Sequence, residues 1–306
     1  MFRQFAILLS SGAIALMAMV ARAETLDIHL VLSDSTPPYQ QFSAAFKKAL
    51  AGSNAKVNVA EFQANEYPSG SGAKAGLAVA VGMKAAEFVV AKLDAPLLGA
   101  MIPKTSYGIL LEKHALRHPH QPLSAIYLDQ PWDRQLNFIQ VALPKHSIVG
   151  VLYSPDTPIV LPRLPRGMSL NAKSVRSAET LFDALENILG SSDVLLAVPD
   201  SDIYSGNNVR NILLTSYRHK VPLIGISLAY VNAGAIGAIF STHEQLAEQA
   251  GDVVVSFARN RRLPEPQHPA SFTIALNQQV ARSLGITLDS PEAILERMGK
   301  AGEGER

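Results

Sequence analysis

The chain contains no cysteine. This excludes disulfides, thiolate metal sites, a thiol nucleophile and the lipid-attached cysteine of an exported lipoprotein. An excess of charge of one sign is also missing. There are 27 Lys and Arg against 26 Asp and Glu, a formal net charge of +1 over 306 residues. So balanced a chain offers no electrostatic footing for nucleic acid, and no nucleic-acid partner is expected. Aromatic residues are only 7% of the chain, with a single tryptophan, Trp132. Long apolar runs are lacking except at the extreme N-terminus, where residues 5–20 are apolar apart from Ser10 and Ser11. That run is shorter than the roughly 18 residues a spanning helix needs.

Catalytic signatures are missing as well. No G-x-S-x-G elbow occurs. Ser69-Gly70-Ser71-Gly72 lacks the G-K-[ST] ending of a phosphate loop and reads as flexible loop. His114, His118 and His120 cluster around Pro119 without the further ligands that would complete a metal set, and read as a solvated loop. No cofactor, metal or catalytic residue is expected. Arg259, Arg261 and Arg262 follow a long helical pattern and suit compensation of a helix C-terminus.

What is present begins with export. Arg3, the apolar run, and Ala21-Arg22-Ala23 ahead of Glu24 form the three-part pattern of a cleaved secretory signal. The expected product starts at Glu24, is soluble and periplasmic, and is not lipid-anchored. Losing residues 1–23 removes Arg3 and Arg22 and no acid, turning the net charge from +1 to −1.

The body of the chain alternates strand and helix. The stretch 193–251 is the most informative: apolar 194–198, polar loop 199–205, a helical pattern with Val209, Ile212, Leu213 and Ser216 on one face, then apolar 221–226 and polar loop 227–232. Both apolar runs lack the alternation of a strand with one face in water, so they belong in a parallel sheet covered on both sides. Upstream, strands are predicted at 27–32, 56–62, 77–81, 96–101, 124–127, 148–153 and 169–175. Helices are predicted at 41–50, 85–92, 107–114, 132–143 and 178–189. Downstream come a strand at 236–240, a helix at 242–259, prolines 264, 266 and 269, a strand at 272–276 and a helix at 278–284. The pattern is that of an α/β protein built as two Rossmann-like lobes with parallel central sheets. A helix followed by a lone strand at the end suits a chain that crosses between the lobes more than once.

Four segments carry a family resemblance: AVAVGMKAAEFV, DQPWDRQLNFIQVALPKHSIVGVLYSP, the 193–251 stretch, and PASFTIALNQQVARSLGITL. With them the chain resembles ABC transporter substrate-binding proteins of the type I periplasmic-binding fold, in the branch that includes tryptophan- and tyrosine-binding members. The resemblance implies a multi-crossing hinge, with crossings near 129–132, 240–242 and 264–268. Lobe one is then 24–130 plus 241–266, lobe two 131–240 plus 267–300, and 301–306 a disordered tail. It also implies a monomer that captures a small-molecule ligand and presents it to a membrane permease or a sensor receptor. The chain departs from the family in two pocket loops. Met101-Ile102-Pro103-Lys104 stands where an Asp-Pro pair is usual, and Asp200-Ser201-Asp202 where Thr-Asp-Asn is common.

Ligands of such folds sit past the carboxyl ends of the strands. On lobe one this selects Tyr39, Gly82, Met83 and Lys84, Lys104, and Asp129 at the crossing. On lobe two it selects Tyr153, Asp200, Ser201 and Asp202, and Tyr230. Lys84 or Lys104 would pair a ligand carboxylate, and Asp200 or Asp202 an amine. Against these stand ordinary roles: solvated lysines, a turn at Ser154-Pro155-Asp156, and N-capping by the 200–202 aspartates. An α/β hydrolase or transferase is the competing class, but no spacing of acid, base and nucleophile demands it.

Overall fold

A computed structural model describes residues 25–67, 75–115, 121–157 and 162–303. The expected signal segment, the 69–72 loop, His118 and His120 lie outside the described residues. Among the described residues no helix is long and apolar enough to cross a membrane.

The first sheet holds β1 (Leu26–Leu32), β2 (Val57–Gln63), β3 (Leu77–Val81), β4 (Leu97–Ile102) and β5 (Leu123–Tyr127), in the order β2-β1-β3-β4-β5, all parallel. The second holds β6 (Ile148–Tyr153), β7 (Ser169–Ser174), β8 (Val194–Leu196), β9 (Leu223–Gly225), β10 (Gly237–Phe240) and β11 (Thr273–Leu276), in the order β7-β6-β8-β9-β10-β11. The two orders are the same except for β11, which pairs antiparallel to β10. The molecule is thus one α/β lobe built twice, in the type I periplasmic-binding arrangement.

Burial explains the strands. β3 is fully buried along Leu77–Val81, and β1 everywhere but Asp27, because helices cover both faces of the sheet. On one face α1 (Pro37–Ala51) packs with α8 (His243–Asn260) over Leu30, Leu32, Val79 and Val81. These two helices approach closely, since a Cβ on Gly251 would lie 3.0 Å from that of Ala49. On the other face α2 (Met83–Lys92) and α3 (Lys104–Ala115) cover Val31, Ala78, Ala80 and Ile102. The second sheet is enclosed by α4 (Trp132–Ala142), α5 (Ala178–Leu189) and α6 (Gly206–Arg218), with α7 (Leu228–Ala233), α9 (Gln278–Ser283) and α10 (Pro291–Glu303) completing its core.

Connectivity fixes how the lobes meet. β5 leaves the first sheet through 128–131 and enters α4. β10 leaves the second through 241–242 and enters α8, which packs on lobe one. The chain then returns along 261–272 to β11 of lobe two. On the way, Gln267 bridges β5: Gln267 N donates to Ala125 O at 2.8 Å and Tyr127 N to Gln267 O at 2.9 Å.

Several elements differ from the sequence reading. α1 begins four residues early, because Pro37 and Pro38 occupy its first positions, where a missing N–H costs nothing. Residues 227–232, read as a polar loop, form most of α7. Helical spacing over 132–143 puts Gln140 on one face with Leu136, Ile139 and Leu143, yet Gln140 is exposed, whereas Gln135 and Phe138 are buried. α10 was not foreseen, and it continues to Glu303, into the tail expected to be disordered.

Candidate functional site

In a parallel sheet ordered 2-1-3-4-5 the crevice for a ligand opens where strand order reverses, at the carboxyl ends of the first and third strands. Here those points are β1/β3 and, by the same order, β6/β8. Both β5 and β10 run directly into hinge segments from their carboxyl ends. Every parallel strand of either sheet ends on that same edge, so both crevices open on the hinge side of the molecule.

In lobe one the crevice is organised by Ser33, just past β1. It is buried, and its hydroxyl donates to Val81 O at 2.9 Å while accepting from Ala85 N at 3.0 Å. The hydroxyl therefore does for α2 what an N-cap side chain usually does, since the capping residue is Gly82. Gly82 has φ of +85°, and a Cβ there would come within 2.5 Å of Ser33 Oγ and 2.8 Å of the Tyr39 ring and hydroxyl. Tyr39, in the first turns of α1, thus lies against Gly82 and Ser33. Burial raises its pKa, against a hydrogen bond with Ser33 that lowers it. Met83 is half-buried in the α2 core face, and Lys84 is exposed in the first turn of α2. Tyr39 and Gly82 are brought together, with Lys84 two residues further on in α2.

Lys104 and Asp129 form a second lobe-one group. Asp129 Oδ1 accepts from Lys104 N at 2.7 Å and so caps α3. Burial raises the Asp129 pKa, opposed by this N–H bond and by His268 and Lys104. Its carboxylate is committed to structure on one oxygen. The Lys104 ammonium lies 6.0 Å from the centroid of the Tyr127 ring. Between these groups, Met101 adopts φ of +56° beside a register shift in the β4–β5 pairing. The left-handed methionine is the next-to-last residue of β4, in the loop region where the sequence departs from the pattern the resemblance implied. Strained backbone of this kind concentrates at binding sites.

In lobe two the two aspartates separate. Asp200 is 3% exposed, and both its oxygens are occupied. Oδ2 accepts from Ser154 N at 2.6 Å; Oδ1 accepts from Asp202 N at 3.0 Å and Ile203 N at 3.1 Å. Asp200 ties the loop after β6 to the loop after β8 and is not free for a ligand amine. Ser201 and Asp202 are exposed. The tied loops wall a cavity of about 590 Å³ lined by Ser154, Asp156, Arg176, Ser177, Asp202 and apolar Pro155, Val175, Leu181 and Ile203. The Ser154 hydroxyl is buried and unpartnered among the described residues. Tyr153, at the end of β6, is half-buried. Tyr230 packs over Gly225, and its hydroxyl donates to Tyr204 O at 3.3 Å. Burial pushes its pKa up to about 12.

The sequence reading did not single out Ser33 or Arg176, named Met101 only as part of a departing pocket loop, and read Asp156 only as part of a turn. Ser33 had a legible signal, a hydroxyl just past the first strand. Nothing in the local sequence marks Met101 as left-handed or brings Arg176 to the β6 loop. His114, read as part of a solvated loop, is buried at the end of α3 against Gln121 Oε1 at 2.8 Å. Among the described residues no group of three or more His, Asp or Glu could hold a metal ion.

A family model described as ABC transporter substrate binding protein matches residues 128–301, over half of the chain. No curated protein sequence matches. Among solved structures, the chain is similar to a conserved domain protein from Vibrio cholerae, with 17% identity, a TM-score of 0.61, and 90% of this chain and 98% of that one covered. It is similar to an ABC domain from Streptococcus pneumoniae in complex with L-Trp (17%, 0.60, 89% and 98%). It is likewise similar to the ligand-free, open form of a substrate-binding protein with adhesive properties from Clostridium difficile (16%, 0.64, 88% and 97%).

Proposed function

The chain belongs to the ABC transporter substrate-binding protein family, and on that premise we propose that it is an exported, monomeric solute-binding protein. It captures a small organic ligand between its lobes and hands it to the permease of an ABC importer. The observation that carries this reading is the pair of switch-point crevices, β1/β3 and β6/β8, opening on the same hinge side. A ligand held there gains contacts from the second lobe only when the lobes close, so binding drives closure.

Lobe one supplies Tyr39, the Gly82–Lys84 turn at the start of α2, and Lys104. Lobe two supplies Tyr153, Ser201, Asp202 and Tyr230. An anionic ligand group suits the lobe-one side, with its helix N-terminus and lysines; a hydrogen-bond donor suits Asp202. Asp200 and Asp129 act by holding loops in place. The pneumococcal structure contains L-Trp, which makes L-tryptophan the first probe.

The test is native mass spectrometry of the protein recovered from the periplasm, followed by calorimetry with whatever molecule co-purifies and with L-tryptophan. N-terminal sequencing of the same material should return Glu-Thr-Leu, the product of cleavage before Glu24. Tyr39→Ala and Asp202→Ala should each weaken binding tenfold or more, a loss of ~1.4 kcal/mol. Unchanged affinity in both variants would move the site elsewhere, and turnover of the bound molecule would make the protein an enzyme.

A further inference from the structure

The three hinge crossings converge on one side chain. Gln130, in the first crossing, is only 5% exposed. Its Nε2 donates to Ser241 Oγ of the second crossing at 2.8 Å, and Ser241 Oγ donates in turn to Ser271 O of the third at 2.5 Å. Its Oε1 accepts from Arg134 Nη1 at 2.6 Å. The same Nη1 reaches Pro269 O of the third crossing at 2.9 Å, and the guanidinium lies 4.6 Å from the centroid of the Phe272 ring. The Gln130 backbone oxygen accepts from Gln135 Nε2 at 2.8 Å.

Lobe one grips the third crossing just before this point. Besides the Gln267 bridge to β5, Gln249 of α8 accepts from Ala270 N at 2.8 Å and donates to His268 O at 3.3 Å. Residues 268–271 are therefore held from both sides, His268 and Ala270 by Gln249 of lobe one, Pro269 and Ser271 by Arg134 and Ser241.

We propose that Gln130 and Arg134 form a latch that makes the three crossings turn as one pivot and so sets the balance between open and closed lobes. A crossing that turns by itself must break a bond in a buried or part-buried chain and leave the Gln130 amide or the Arg134 guanidinium unsatisfied, which is costly away from water. The guanidinium serves two neutral carbonyl oxygens from one nitrogen while its plane lies against the Phe272 ring, and a lysine ammonium cannot keep that stacked contact. Burial lowers the Arg134 pKa, in keeping with a cation taken partly out of water. The inference rests on the reading that the lobes move.

Because the chain has no cysteine, labels can be placed without background. Spin labels at Lys48 on α1 and Arg210 on α6, both exposed, report the distance between lobes by pulsed electron paramagnetic resonance. The wild type should show a major distance and a minor one. Arg134→Met and Arg134→Lys should raise the minor population about tenfold, equivalent to ~1.4 kcal/mol. Ser241→Ala, which removes one hydroxyl, should shift it the same way by a smaller factor, and it decides the matter if the Arg134 variants fail to fold. Two wild-type distances whose proportions are unaltered in folded variants overturn the latch and leave lobe closure standing. A single fixed distance in the wild type and every variant overturns both.

Discussion

Asp200 and Asp202 sit two residues apart in one loop, and replacing each should have very different consequences. The Asp200 carboxylate accepts three backbone N–H groups, at 2.6, 3.0 and 3.1 Å. Two of the donors, Ser154 N and Ile203 N, are in buried bonds. A hydrogen bond to a charged group contributes about 1.5–3 kcal/mol, and a buried donor left without an acceptor costs about 1–3 kcal/mol. Water entering beside the exposed Ser201 and Asp202 will recover part of this. Counting the two buried donors alone and at the low end, Asp200→Ala should destabilise lobe two by about 3 kcal/mol. At about 2–4 °C per kcal/mol for a chain of this size class, the midpoint should fall by roughly 6–12 °C. Asp202→Ala removes an exposed carboxylate and should stay within about 0.5 kcal/mol. Urea denaturation followed by circular dichroism measures both, with calorimetry for the midpoints. Asp200→Asn keeps one acceptor oxygen but turns an N–H toward a donor, so it should fall between the two. A loss under about 1 kcal/mol in Asp200→Ala would refute the reasoning, because the carboxylate would then not be what joins the two loops.

Gly82→Ala should cost about 1–3 kcal/mol, since it combines a left-handed backbone with contacts inside 3 Å to Ser33 and Tyr39. Gly234→Ala, where φ is +123° but nothing lies within 4 Å of the new Cβ, isolates the backbone part and should cost less; thermal melts of the two compare them. Burial lowers the pKa of His29, His146 and His243 below the ordinary 6.5, outweighing the acids Asp27, Asp193 and Glu244 beside them. Groups of this sign bind protons more readily when unfolded, so stability is complete above pH 6.5 and declines as pH falls below it. Melting points measured from pH 8 to pH 5 should therefore drop on the acid side, and His29→Gln should shallow that drop.

The share of the molecule legible in the sequence follows from which forces are local. β3 at residues 77–81, β6 at 148–153 and α5 at 178–189 lie where periodicity put them, because solvent exclusion on both strand faces and on one helix stripe is written residue by residue. Along the helical pattern of α8, the apolar stripe Leu246, Ala250, Val253, Val254 and Phe257 is buried throughout. The loops past β1, β3, β6 and β8 were legible too, since the alternation of strand and helix marks where each strand ends. The start of α1 was missed because a proline pair reads as a breaker until it is known to open a helix.

The roles of individual side chains were not legible. Asp200 and Asp202 look alike in a sequence, and only the arrival of Ser154 N, 46 positions away, decides which one is consumed. Asp129 looks like a ligand group until Lys104 N is seen on its carboxylate. Gln130 and Arg134 are ordinary polar residues until the second and third crossings fold back upon them. The sequence by itself determined the two α/β lobes and the family, because hydrophobic patterning acts over neighbouring residues and survives any rearrangement of polar groups. Only the tertiary structure decided which polar groups are spent on holding loops and hinge and which stay exposed, because a hydrogen bond depends on a partner that distant parts of the chain bring within 3 Å or so.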